Sequence, residues 1–102
     1  MVLMEFSITP LDKGASVSVY VARCVDVVEQ AGLDYRLNPM GTIVEGPIDR
    51  VLDVLRRCFE ALATDCERVT CAAKFDYRRG DQSRFDSKLA SVEQKLGRPV
   101  RK

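Results

Sequence analysis

Asn38, Thr42 and Glu45 crowd around a turn, Leu37-Asn38-Pro39-Met40-Gly41-Thr42-Ile43-Val44-Glu45-Gly46-Pro47, that could form without them. Pro39 fixes its own φ and lacks an amide hydrogen, while Gly41 can take φ > 0 at no steric cost. Those two residues suffice to build a hairpin tip. The amide, hydroxyl and carboxylate around them are the donors and acceptors that a small polar molecule needs. Ser7, on the preceding strand, adds a second hydroxyl. The alternative is that they are solvated turn residues. If the strand ending at Gly46 pairs with the first strand, Glu45 comes near Glu5 and Ser7. Two carboxylates on one sheet face repel unless a cation, a proton or a donor-rich ligand lies between them. Lys74 or Arg36 could equally pair with them as surface charge.

The signatures of catalysis are missing. Without histidine the chain has no Ser-His-Asp or Cys-His device. It has no Gly-x-x-x-x-Gly-Lys loop, no Gly-x-Gly-x-x-Gly and no clustered Asp ligands for a metal. Acid–base work by Glu5 and Glu45 is a third, weaker alternative. Cys24, Cys58, Cys66 and Cys71 form no Cys-x-x-Cys pair, so no zinc site is expected. Cys24 and Cys58 fall on apolar helix stripes and Cys71 on the apolar parity of a strand, where thiols act as small hydrophobes. Cys66, in a loop, is the one thiol expected to react. Free thiols suit a reducing, cytoplasmic compartment.

The elements that must position these residues read off the pattern. Residues 2 to 10 alternate, with Val2, Met4, Phe6 and Ile8 opposite Leu3, Glu5, Ser7 and Thr9, which predicts a strand with one face on the core. A helix comes next, with Ser16 or Ser18 as its cap, Val17, Val21, Cys24, Val28 and Ala31 on one stripe, and Gly32 as its stop. Strands at 33–38 and 42–45 flank the turn. Pro47 opens a second helix whose stripe is Ile48, Val51, Leu55, Phe59 and Leu62. A fourth strand runs near 68–77, with Val69, Cys71, Ala73 and Phe75 inward. A third helix starts near Ser83 with Phe85, Leu89, Val92 and Leu96 on one face, and ends at Gly97 and Pro99. The order predicts an α+β, ferredoxin-like βαββαβ sandwich with a four-stranded antiparallel sheet and an additional C-terminal helix. Two helices cover one sheet face, which leaves Leu3, Glu5, Ser7, Thr9, Arg36, Asn38, Ile43, Glu45, Thr70, Ala72 and Lys74 as an open face for a ligand or a neighbouring subunit.

The 102 residues make one domain, 1–102, with 46% hydrophobic and 30% charged residues. Sixteen basic against fifteen acidic residues leave a net charge of +1, which gives no reason to expect nucleic acid as a partner. The short basic run Tyr77-Arg78-Arg79-Gly80 is the one local exception. No apolar run reaches the ~20 residues that span a bilayer, and the Met1 end reads as a strand rather than a signal peptide, so no membrane partner is expected.

Ser16-Val17-Ser18-Val19-Tyr20-Val21, the Asn38-to-Gly46 stretch, Tyr77-Arg78-Arg79 and the Ser91-Val92-Glu93-Gln94-Lys95-Leu96 ending together resemble the small thiamine-binding protein family. The resemblance runs over nearly the whole chain, and its most specific pieces are Pro-Met-Gly-Thr and Glu-Gly. It implies a ferredoxin-like protein that binds thiamine or its hydroxymethylpyrimidine half without catalysis or cofactor, as a homotetramer built as a dimer of dimers. It points to Pro39, Met40, Gly41, Thr42 and Glu45 as ligand-binding, and less directly to Asn38; Ser7 joins them by its hydroxyl. An aminopyrimidine offers an amine and ring nitrogens to such an inventory. The competing reading is an assembly module whose open face only holds subunits together.

Overall fold

Four strands and three helices make up the computed structural model, which describes residues 1–80 and 82–101. In chain order they are β1 (Val2–Pro10), α1 (Ser18–Ala31), β2 (Asp34–Asn38), β3 (Gly41–Gly46), α2 (Ile48–Ala63), β4 (Val69–Tyr77) and α3 (Phe85–Leu96). The architecture is the ferredoxin-like βαββαβ sandwich with one further helix. All strand pairs are antiparallel and the sheet order is β2-β3-β1-β4.

The alternation of β1 decides which face is covered. Val2, Met4, Phe6 and Ile8 are buried with Val44 of β3 against Cys24, Val27 and Val28 of α1 and Val51, Val54, Cys58 and Leu62 of α2. Each fully buried aliphatic side chain of this kind stabilises the fold by roughly 1.5–3 kcal/mol. α1 and α2 lie side by side on that face, and Arg23 of α1 forks onto Asp65 just beyond α2, with N–H donors 2.6 and 2.9 Å from the two carboxylate oxygens. Gly32 ends α1 at φ 72° and Gly97 ends α3 at φ 75°, both left-handed stops.

Two local expectations are corrected. No serine caps α1: Val17 occupies the cap position, and no side chain there bonds the first-turn amides. Phe75 has the inward parity but is 42% exposed and Ala73 is exposed as well: β4 is an edge strand paired only with β1, and only Val69 and Cys71 of its inward residues pack against the core.

The opposite face is open apart from one end. There Arg84 leads into α3, and α3 itself contains no buried residue. It touches the sheet through Phe85, over whose ring the Arg36 guanidinium sits at 5.2 Å, and through an Arg36–Asp86 ion pair at 3.1 Å. Val92 and Leu96 of its apolar stripe are 50% and 47% exposed.

Candidate functional site

The ladders along β1 are unequal, and that inequality makes a cavity. β1 pairs with β4 from Val2 to Pro10, but with β3 only from Val2 to Phe6. β3 cannot continue, because the chain turns at Pro39 and Met40 into β2, where Asn38 pairs with Gly41. The β3-facing edge of Ser7, Ile8 and Thr9 is therefore left without a strand neighbour. The space beyond it, closed on one side by the hairpin tip and on the other by the start of α1, is a cavity of about 220 Å³. Its walls are Phe6 to Thr9, Val17, Val21 and Cys24, and Leu37 to Thr42.

Six of the seven residues expected at the site line this one cavity: Ser7, Asn38, Pro39, Met40, Gly41 and Thr42. Thr42 pairs with Phe6 and shares its inward parity, so it is only 6% exposed and faces the helix side. Met40, at the tip, is 86% exposed. Gly41 owes its place to a close approach, not to the positive φ that turn chemistry suggested. Its φ is negative, and a β-carbon there would stand 2.9 Å from the Phe6 carbonyl oxygen. A side chain at this position would push the hairpin tip off β1.

Glu45 lies elsewhere, and strand parity is the reason. Three residues beyond Thr42, it points to the opposite sheet face, where it is 2% exposed. Its register partner on β1 is Leu3; Glu5 sits opposite Ile43 on one side and Lys74 on the other. Glu45 and Glu5 share the open face as diagonal neighbours, while Ser7 lies two residues farther along β1, beyond the last position paired with β3. Glu45 accepts a hydrogen bond from the backbone N–H of Arg84 at 2.8 Å, while its Oε1 is buried without a partner. Arg84 in turn donates to the Asp76 carbonyl at 2.7 Å, and its Nη1 makes a 3.0 Å ion-pair contact with the Asp76 carboxylate. Lys88 and Arg84 beside it hold the Asp76 carboxyl below its usual range. Glu45 thus fixes the entry into α3.

The cavity walls carry no ionisable side chain except the Cys24 thiol. The neighbouring Cys58 thiol lowers it from its ordinary value; Cys58, whose Sγ donates to the Cys24 carbonyl oxygen at 3.8 Å, is itself pushed far up by the pairing and by burial. Cys66, expected to be the reactive one, is buried, and desolvation with Asp65 nearby raises it. Sequence patterning missed Cys24 as a wall residue because its helical spacing is also that of a core position. Beyond Val17, Val21 and Leu37 the cavity meets a wider apolar groove along α1, floored by Ala22 and Val25 and ending at Asp26 and Glu29. Among the described residues, no group of His, Cys, Asp or Glu side chains is arranged to hold a metal ion, and no helix is long and apolar enough to cross a membrane.

Residues 4–93 match the family described as thiamine-binding protein. A UPF0045 protein of Methanocaldococcus jannaschii is 35% identical over 91 residues, covering 89% of this chain and 91% of its own. A UPF0045 protein of Mycobacterium bovis is 37% identical over 99 residues, with 96% and 97% covered. A crystal structure of the Methanocaldococcus protein superposes with a TM-score of 0.83 at 34% identity, covering 91% of this chain and 96% of that one.

Proposed function

Because the chain belongs to the thiamine-binding protein family, we propose that it binds thiamine or a related pyrimidine, without catalysing a reaction, in the cavity beside the β2–β3 hairpin. The observation that carries this reading is the convergence of Ser7, Asn38, Pro39, Met40, Gly41 and Thr42 on one small, nearly uncharged space. Its 220 Å³ falls below the ~300–1,000 Å³ of pockets that enclose drug-sized ligands, which suits a single heteroaromatic ring rather than a whole two-ring vitamin. Leu37, Val21 and Phe6 supply apolar contact for ring faces, and Thr42, Ser7, Asn38 and Thr9 supply donors and acceptors at the rim. The thiazolium half of thiamine would leave the cavity along α1, over Ala22 and Val25, toward the carboxylates of Asp26 and Glu29. A cation meets attraction there that it would not find inside the cavity.

Assembly belongs to the same proposal. α3 offers an apolar stripe that its own subunit leaves exposed, which favours a homotetramer in which the helix packs against a neighbour. A cytoplasmic location fits the four free cysteines.

Titration calorimetry with thiamine and with hydroxymethylpyrimidine tests the reading. Both are expected to bind, and Thr42→Val is expected to weaken both about tenfold, the loss of one hydrogen bond in a desolvated site. The double variant Asp26→Asn, Glu29→Gln is expected to weaken thiamine alone. Absence of binding by either compound would overturn the proposal.

A further inference from the structure

β1 ends its pairing with β3 at Phe6, and the next three residues, Ser7, Ile8 and Thr9, line the cavity. In a strand the N–H and C=O of one residue point to the same side, and successive residues alternate. Two contacts fix the phase. The Leu11 N–H donates to the Arg68 carbonyl at 2.8 Å, on the β4 side. The Phe6 carbonyl faces β3, where it would meet a β-carbon on Gly41 at 2.9 Å. Odd-numbered residues therefore turn their peptide groups to β4 and even-numbered ones to β3. Ile8, two residues past Phe6, presents both its N–H and its C=O on the β3 side, where β3 is absent and the cavity begins. The β1–β3 ladder ends at Phe6, two residues short of these groups, and no turn or loop backbone bonds to them among the described residues. The next residue of that phase, Pro10, has no N–H to leave open.

We infer that the backbone N–H and C=O of Ile8 are the specificity-determining groups of this cavity, reading a heteroaromatic ring that carries an amine next to a ring nitrogen. The inference rests on the pyrimidine reading of the cavity and assigns the atoms that carry it. The N–H donates to the ring nitrogen, and the C=O accepts from the adjacent amine. An asparagine amide makes the same paired donor–acceptor contact with the amine and ring nitrogen of adenine. Ile8 as a whole is 5% exposed and its side chain belongs to the core, so its backbone is held in place by packing rather than by the ligand. A reader of this kind is pre-organised, and it discriminates by chemistry that no side-chain inventory reveals. Replacing the amine by an oxo group converts the ligand's donor into an acceptor and its ring acceptor into an N–H. Both contacts then oppose like with like. Sites built on buried polar pairs reject such analogues far more strongly than they reject a change of one methyl group.

The test is amide hydrogen exchange in the full chain by NMR, with 4-amino-5-hydroxymethyl-2-methylpyrimidine as the probe and its 4-oxo analogue as the control. The probe at saturation is expected to slow exchange of the Ile8 amide at least tenfold. The 4-oxo analogue is expected to bind at least thirtyfold more weakly than the probe. Saturable binding of the amino compound with unchanged Ile8 exchange would overturn this inference and leave the proposed function standing. Equal affinity for the two compounds would do the same. No binding of the amino compound overturns both.

Discussion

At the scale of single residues, strand parity separates the cavity wall from the scaffold. Thr42 and Glu45 sit on one short strand, yet one faces the cavity and the other holds the start of α3. Glu45→Gln is therefore expected to leave the dissociation constant for hydroxymethylpyrimidine within twofold of the parent. It should instead destabilise the fold by about 1 kcal/mol through the weakened acceptor for the Arg84 N–H, which calorimetry and urea unfolding together would show. The Arg23–Asp65 fork gives a prediction in pH. Its hydrogen bond from Arg23 holds the Asp65 carboxyl at about 2, below the ordinary 3.8. A carboxyl lowered in the folded state contributes stability that is complete above its unfolded pKa and disappears as pH falls through the folded one. The contribution should therefore be lost between pH 3.8 and about 2. Arg23→Gln should flatten that part of the stability–pH curve while Asp12 and Asp76, also lowered, keep theirs. Six cavity residues were legible in the sequence because turn formers and polar groups stand out against a strand pattern. Parity in the sequence put Glu45 on the open face, but it could not show that Glu45 would take the Arg84 N–H there while Thr42 borders a cavity on the helix side. The Ile8 peptide edge was not legible at all, since a backbone group carries no signature in residue type.

Among the elements, the hairpin and α1 matter most, because the cavity is the gap between them. Its existence depends on β3 stopping four residues before β1 does. Gly41→Ala puts a methyl group 2.9 Å from the Phe6 carbonyl, which the backbone must relieve by moving. The expected result is a loss of roughly 1–3 kcal/mol, as for other overpacked sites. Ligand affinity should fall with it, because the same movement displaces Thr42. Thermal melting with and without hydroxymethylpyrimidine separates the two effects. The strands and helices themselves were legible to within a residue or two. Period-two alternation marked β1, three- and four-residue spacing marked α1 and α2, and Gly32 and Gly97 stood at the helix ends. Less legible was the exposure of β4. Parity assigned Phe75 to the core, but parity cannot tell how far a helix of given length and tilt extends across a sheet.

The whole molecule is longer than its size requires. Its radius of gyration is 15.1 Å and its extents are 48 × 29 × 20 Å, against ~13 Å expected for a compact chain of this length. The exposed α3 is the natural source of the excess, since it has no buried residue to hold it down. Cutting the chain after Phe85 keeps Arg84 and its contacts but removes Leu89, Val92 and Leu96. The expected outcome is an intact βαββαβ core by circular dichroism and a particle smaller than the four-chain assembly proposed for the full sequence, measured by light scattering. An unchanged mass would show that the helix holds no neighbour. The strand order also governs how such a chain acquires its shape. β1 lies in the middle of the sheet, and its longest ladder joins Val2 to Tyr77 and Pro10 to Val69. β1 leaves the ribosome well before β4 and must therefore wait for it before both its edges are satisfied. Local pairing of β2 with β3 and docking of α1 on α2 can run ahead, whereas β1–β4 closure spans most of the polypeptide and carries the largest loop entropy. Until then β1 is an apolar strand with a free edge, so the nascent chain is most exposed to aggregation in the interval between β3 and β4.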